Sequence, residues 1–434
     1  MSAERERALE LLDRTERDPK VSLDAMLKTL PDAPDGMYRS FLIRLVQGTY
    51  QYKPLLDACL NRFSKTPVKK MKPLIRSLMR MSVYQILFMD DVPDAAACNE
   101  AVRLAEKRGF HQLKGFVNGV LRSVVRGKEE ITLPEKGTDA YLTITCALPE
   151  VVSDHLKACY GRERAEAVAE AFLAPRPVMI RIRPERMRRD RVDTETLFER
   201  MRATAEGIEI KAHAHVPDMY ALTHPGNPVR LYGFHEGYFT IQDAAGVRAV
   251  RAAGIKAGDT VIDVCASPGG KAAHAADLCG ETGSVLARDV SEKKLKRMEE
   301  TFMRLGLKQV RTQVFDALET DEALYETADV LICDLPCSAL GITGRKPEVK
   351  YRFTTQDADA LCDMQARIID ASWRYVKRGG TLLYSTCTLN PKENEEQVRR
   401  ITETLPFRLQ TMEQLFPGAL DTDGFFYAVL ERRS

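Results

Sequence analysis

From residue 260 to the end of the chain, short apolar runs alternate with helical segments: TVIDVCA, GSVLARDV, QVRTQVF, DVLICDLP, TLLYSTC and GFFYAVLER. The alternation of strands and helices calls for a doubly wound, mostly parallel sheet, in which DVLIC and GGTLLYS read as buried parallel strands. In such sheets ligands bind just beyond the carboxyl ends of the strands. Three strand ends carry chemistry-bearing residues. The first runs Asp263-Val264-Cys265-Ala266-Ser267-Pro268-Gly269-Gly270-Lys271, the second Asp334-Leu335-Pro336-Cys337-Ser338, the third Tyr384-Ser385-Thr386-Cys387-Thr388.

Upstream the pattern changes. Tyr38, Phe41, Leu42, Leu45 and Val46 recur at helical spacing, as do Met71, Leu74, Ile75, Leu78 and Met79, so residues 1–130 predict an all-α bundle. Pro93 opens a further helix there. Residues 129–138 are polar and lose periodicity, which marks a linker. Residues 140–235 mix a helix at RERAEAVAEAFLA, a strand at PVMIRIRP and a helix through DTETLFERMRAT, predicting a small α+β module. The α/β domain then spans 236–434. Cations cluster at Arg62, Lys65, Lys69, Lys70, Lys72, Arg76 and Arg80, and again at Lys107, Arg108, Lys114, Arg122, Arg126 and Lys128. Either group reads as a solvated face or as a phosphate-tracking surface. Arg181, Arg183, Arg186, Arg188, Arg189 and Arg191 could line a nucleic-acid path.

The balance of 44% hydrophobic and 29% charged residues is that of a globular chain. No uncharged run approaches the roughly 18 residues of a spanning helix. The start, MSAERERALELLDRTERD, lacks the apolar core of a signal peptide, so a cytoplasmic protein without a membrane partner is expected. Ten cysteines without a CxxC pair argue against both a disulfide framework and a zinc site. No metal is expected, and a monomer is. A net charge of +2 excludes no class of partner.

The loop Cys265–Lys271 is neither a Walker loop nor a GxGxxG turn, so phosphate-bearing nucleotides are disfavoured. Its glycines still let a ligand approach the backbone. Asp289, 19 residues after Gly270, ends the next strand, where a carboxylate suits ribose hydroxyls. Asp316 ends the third and could hold an adenine amino group. An adenosine without phosphates fits, and S-adenosylmethionine is such a ligand. The competing reading is that strand-end aspartates only cap helices.

Taken singly, Cys337 or Cys387 reads as a small buried hydrophobe, as do Cys265, Cys333 and Cys362. What lifts the first two is Asp334, three residues before Cys337, and Lys271 in the adjacent loop, which supply charge to activate a thiol. Carbon 5 of cytosine is a poor nucleophile. Thiolate addition at carbon 6 makes the ring an enamine that can attack a sulfonium methyl, while an acid near N3 stabilises the developing charge.

With D-x-C-A-S-P-G-G-K at 263–271, D-x-P-C-S at 334–338, S-T-C-T-L-N-P-x-E-N at 385–394 and D-G-F-F-Y-A at 423–428, the chain resembles the RsmB/Sun family of RNA cytosine-5 methyltransferases. The first 130 residues resemble a NusB-type RNA-binding domain, most visibly at Phe116-Val117-Asn118-Gly119-Val120-Leu121-Arg122. The resemblance implies a Rossmann-like, S-adenosylmethionine-dependent methyltransferase domain acting on one cytosine of small-subunit (16S) ribosomal RNA. It implies Cys387 as nucleophile, Cys337 assisting release, Asp334 contacting the cytosine and Lys271 orienting it. Cys265, Ala266, Ser267, Pro268, Gly269, Gly270, Lys271, Asp289, Asp316 and Asp334 would surround the cofactor. Leu335 and Ala339-Leu340 depart from the residues usual in the proline-cysteine motif, and Arg181-Ile182-Arg183-Pro184 departs from the usual R-x-N. The same chemistry on transfer RNA or on another ribosomal site, and a non-catalytic RNA-binding assembly or antitermination factor, are the rival readings. The intact set of Cys337, Cys387, Asp334 and the glycine loop disfavours the second.

Overall fold

The order of strands in the C-terminal sheet follows from the expected βαβ crossovers. The structure is a computed structural model and describes residues 3–18, 21–30 and 37–433, without the side chains of residues 37 and 38. Tyr38 of the first apolar stripe therefore lies outside the described side chains. The strands are β1 (Val178–Ile182), β2 (Glu209–Ala212), β3 (Met219–Thr223), β4 (Phe239–Ile241), β5 (Thr260–Asp263), β6 (Ser284–Asp289), β7 (Val310–Val314), β8 (Ala328–Asp334), β9 (Val376–Thr386), β10 (Phe407–Leu415) and β11 (Phe425–Arg432). The first four form an antiparallel sheet in the order β2-β3-β1-β4.

The other seven form one sheet in the order β10-β11-β9-β8-β5-β6-β7. Strands β5 to β9 are parallel, and β10 and β11 close one edge antiparallel. From β5 the chain proceeds outward through β6 and β7, then returns to the other side of β5 with β8 and β9. The switch point thus lies between β5 and β8, where the loops leaving the two strands diverge and open a crevice. The Rossmann-like fold expected from the alternation is present. Strand β10 was not legible because it is an edge strand, largely exposed along its length, with no apolar run.

The chain divides into two compact units. One comprises the described residues up to Leu173 together with Thr343–Thr354, the other Ala174–Ile342 and Thr355 onward. The first unit is helical, with helices at Ala3–Arg17, Met37–Gln51, Lys53–Phe63, Pro73–Phe88, Asp94–Lys107 and Lys114–Gly127 around one apolar core. The helix Glu150–Leu173, bent at Gly161 (φ 76°), also lies in this unit.

Thr343–Thr354 leaves the second unit soon after the Cys337 loop and packs into the first. Lys350 Nζ donates to Gln51 O at 2.7 Å and the Tyr351 hydroxyl to Tyr50 O at 3.0 Å. These carbonyls end the helix Met37–Gln51 and lack partners within it. Asp24 N donates to Glu348 Oε1 at 3.0 Å, and Arg352 to Val21 O at 2.6 Å. Burial of Lys350 pushes its ammonium down to about 7.

Two readings of the basic residues are corrected. Arg76 and Arg80 turn inward to Glu16, and Arg80 forms a two-pronged pair with Asp57, so they leave the surface cluster to Arg62, Lys65, Lys69, Lys70 and Lys72, which are exposed. Arg181 and Arg183 line no surface either. Both are buried and converge on Asp277, at 2.8 and 2.7 Å. A guanidinium taken out of water needs a paired carboxylate, and Asp277 on the helix Gly270–Cys279 supplies it.

Candidate active site

Parallel pairing of β8 with β9 sets Asp334 opposite Ser385. The two chains leave the sheet side by side, so the cysteines three residues after Asp334 and two after Ser385 meet. Cys337 Sγ and Cys387 Sγ are 3.4 Å apart, both half-buried. The hydrogen bond that Cys337 makes to Cys387, burial, and the charges of Cys387 and Glu393 push the Cys337 thiol well up from its ordinary value.

Beside the thiols, Lys271 Nζ donates to Asp334 Oδ2 at 2.6 Å, and the Ser385 hydroxyl to Asp334 Oδ1 at 2.8 Å. The Lys271 ammonium also lies 4.9 Å from the centre of the Phe425 ring, at the start of β11. Burial alone would depress Lys271; the charge and hydrogen bond of Asp334, helped by Asp263 and Cys387, raise it instead. The lysine is therefore held as a cation among anionic groups.

Gly269, in the left-handed region at φ 97°, turns the chain from the loop after β5 into the helix Gly270–Cys279. A Cβ there would come within 3.2 Å of Phe302 and 3.3 Å of Met298, so a side chain would both strain the turn and crowd the floor below it. Asp289 ends β6, buried, and its Oδ1 accepts from Ser291 N at 2.9 Å. Asp316 lies exposed beyond the end of β7, with Leu318 N donating to its Oδ1 at 3.0 Å. Both carboxylates thus make the local turn expected of a cap while keeping an oxygen outside that bond.

Asp263 is the unexpected group. It is fully buried; Cys265 N donates to Oδ1 at 3.3 Å, and Oδ2 has no hydrogen-bond partner. Burial, with the repulsion of Asp334, raises its carboxyl to about 8 against the pull of Lys271. A buried orphan oxygen costs free energy unless a donor or cation reaches it. Carboxylates ending β5, β6 and β8 around a glycine turn fit a ligand with hydroxyls and positive charge, which is the donor set of S-adenosylmethionine.

Stability should register this carboxyl. The native state keeps a proton that the unfolded chain loses above about pH 4, so this contribution falls as pH rises from there to about 8. Asp263→Asn cannot ionise and escapes the loss. Between pH 5 and pH 8 the melting temperature of the variant should gain on that of the parent by at least about 2 °C. A constant gap between the two would contradict the burial account.

Of the residues singled out in the sequence, Lys271, Asp334, Cys337 and Cys387 converge on one point. Cys333, in contrast, is enclosed in the core, and Cys362 lies on the helix Thr355–Ser372. Sequence reasoning missed Ser385, Ser338, Thr388 and Glu393. All fall inside quoted motifs, yet an acidic residue after an Asn-Pro turn reads as solvated, and Glu393 is wholly buried.

Residues 252–431 match the family described as 16S rRNA methyltransferase RsmB/F, and residues 2–126 match the NusB family. The probable ribosomal RNA small subunit methyltransferase B of Bacillus subtilis (strain 168) is 34% identical over 451 residues, covering 99% of this chain and 98% of its own. The chain belongs to the RsmB/F family. The ribosomal RNA small subunit methyltransferase B of Escherichia coli O1:K1 / APEC is 30% identical over 421 residues, covering 95% of each chain. A methyltransferase homolog protein from Pyrococcus horikoshii superposes with a TM-score of 0.58 at 25% identity, over 67% of this chain and 97% of that one. NSun6 from the same organism, solved with SFG, gives 0.58 at 21% identity over 66% and 99%; that likeness concerns the fold alone. RsmB/F membership agrees with the resemblance read from the motifs, including the NusB-type helical region ahead of the methyltransferase domain. Among the described residues, no helix is long and apolar enough to cross a membrane, and no group of three or more His, Cys, Asp or Glu could hold a metal.

Proposed function

We propose that the protein transfers a methyl group from S-adenosylmethionine to carbon 5 of a specific cytosine in 16S ribosomal RNA, through a covalent adduct with Cys387. The observation that carries this reading is the pair of thiols 3.4 Å apart at adjacent strand ends, beside the Lys271–Asp334 ion pair. The RsmB/F family description and the names of the relatives support the RNA substrate.

On this reading the glycine turn at Cys265–Lys271 with Asp289, Asp316 and Asp334 holds the cofactor, whose sulfonium supplies an electrophilic methyl. Cys387 Sγ, as thiolate, adds to carbon 6. The ring electrons move toward N3, where Asp334 contacts the base and Lys271 holds a proton at Nζ to balance the growing charge. Carbon 5 is now nucleophilic and takes the methyl. Loss of the carbon 5 proton then restores the double bond and expels Cys387, with Cys337 assisting. Its hydrogen bond to Cys387, burial and the charge of Glu393 oppose ionisation of Cys337. That supports Cys387 rather than Cys337 as the nucleophile, which the order of motifs alone leaves ambiguous.

The exposed cations Arg62, Lys65, Lys69, Lys70 and Lys72, on the NusB-type region, offer a phosphate-tracking surface. We assign RNA contact to them, and also to the module within residues 140–235, through its surface arginines rather than Arg181 or Arg183.

Bisulfite sequencing of total RNA, with and without the gene, tests the function. One cytosine of 16S ribosomal RNA should lose its protection when the gene is absent. Loss in transfer RNA instead would overturn the substrate, and no change at all would favour the binding-factor alternative.

A further inference from the structure

Glu393 is the most heavily hydrogen-bonded acid near the thiols, yet it has no solvent exposure. Its Oε2 accepts from Ser338 N at 2.8 Å and from Gln365 Nε2 at 3.1 Å. Its Oε1 accepts from the Ser338 hydroxyl at 2.5 Å and from Asn390 Nδ2 at 3.0 Å. An ionised carboxylate has about four lone-pair sites, and here all are filled by donors.

The partners come from three segments. Ser338 follows Cys337, Asn390 lies on the Cys387 loop, and Gln365 sits on the helix Thr355–Ser372. Gln365 Nε2 also donates to Pro336 O at 2.9 Å, so Cys337 is clamped from both of its neighbours. The loops are joined once more at the hydroxyls of Ser338 and Thr388, 2.6 Å apart. A hydroxyl has one proton. Since Ser338 gives its own to Glu393, Thr388 must donate to Ser338, and the chain Thr388–Ser338–Glu393 has a fixed direction. It runs from the residue after the nucleophile, through the residue after Cys337, to the buried acid.

We propose that Glu393 is a positioning residue for product release, holding the Cys337 thiol against Cys387 through Ser338. The inference rests on the covalent reading above. During release the carbon 5–hydrogen bond breaks and its electron pair closes the carbon 5–carbon 6 double bond, the proton passing to water. The carbon 6–sulfur bond breaks and its pair goes to Cys387 Sγ, which departs into a hydrogen bond from the S–H of Cys337. The 3.4 Å separation is the geometry of that hydrogen bond. The hydrogen bond to Cys387 and burial keep the proton on Cys337, and the negative charge of Glu393 adds to them, so the carboxylate supports the donor proton as well as the loop. The adduct-forming steps need Cys387, Asp334 and Lys271, none of which Glu393 touches. Three of the four hydrogen bonds donated to Glu393 brace the Cys337 loop, two from Ser338 and one from Gln365, and one comes from the Cys387 loop, so the loss of Glu393 falls mainly on release.

The test compares Glu393→Gln and Ser338→Ala with Cys337→Ala and the parent protein, on RNA containing the target site. The readouts are methyl transfer in the first turnover, the multiple-turnover rate, and the protein–RNA adduct surviving denaturation. A displaced Cys337 should slow multiple turnover about 10- to 100-fold, with first-turnover methylation within about threefold of the parent. A denaturant-resistant band should then accumulate in Glu393→Gln, as is expected of Cys337→Ala. A purely structural defect would lower both rates together and leave no band. If Glu393→Gln fails to fold, Ser338→Ala, which removes one hydroxyl, decides by the same readouts. Normal turnover without adduct in these variants, while Cys337→Ala traps one, overturns the role of Glu393 and leaves the covalent reading intact. Absence of adduct in Cys337→Ala as well overturns the covalent reading and the inference with it.

Discussion

Cys387→Ala should reduce methyl transfer by at least about 10⁴-fold, because on the proposed mechanism it removes the one group whose bond to the ring makes carbon 5 nucleophilic. The loss should fall on the rate constant and leave affinity for S-adenosylmethionine within about twofold, since the cofactor loop and its carboxylates lie on other strand ends. Cys387 is half-buried, and an alanine there leaves at most a small void beside Cys337. Stability should thus change by no more than about 1 kcal/mol. Rates from labelled cofactor, with calorimetric titration of that cofactor and a melting curve, check the three statements. Residual turnover above a hundredth of the parent's would remove Cys387 from the nucleophile's role.

Gly341→Ala should have the next largest effect, by a different route. Gly341 N donates to Cys387 O at 3.0 Å, and Gly341 O accepts from Gly424 N at 2.9 Å, so this glycine stitches the Cys387 loop to the segment before β11. The backbones touch. A Cβ at Gly341 would sit 2.0 Å from Gly424 O and 2.8 Å from Cys387 O. Neither neighbour is the free end of a side chain, so the loop must shift. Overpacking of this kind costs about 3 kcal/mol or more, and displacement of the nucleophile by about 1 Å costs roughly 100-fold in rate. Thermal denaturation and the methyl-transfer assay should both register the change. A variant with parental melting temperature and rate would show that this close approach is not needed.

The C-terminal fold was legible because its strands are short, apolar and separated by helices; six runs named from the sequence each contain a strand of the seven-stranded sheet. The seventh, β10, faces solvent along most of its length and left no pattern to read. In the site, residues that act by their chemical type were visible as motifs: Cys337, Cys387, Asp334 and Lys271. Residues that act by what they hydrogen-bond were not. Glu393 and Asp263 look like ordinary acids in the sequence, and only burial with a full or an incomplete set of partners separates them from the rest. Arginines mislead for the converse reason. Arg80, Arg181 and Arg183 read as surface charge, and each is turned inward onto a carboxylate far away in sequence. The placement of Thr343–Thr354 in the helical unit was equally hidden, because its partners Val21, Asp24, Tyr50 and Gln51 lie some 300 residues upstream.

The central claim is that Cys387 bonds to the ring and Cys337 serves its release. It is tested most directly by digesting the complex trapped with Cys337→Ala and locating the nucleotide on the protein by mass spectrometry. The predicted result is a methylated cytosine carried on the peptide that contains Cys387. A nucleotide on any other residue, or no cross-linked peptide at all, would contradict the account.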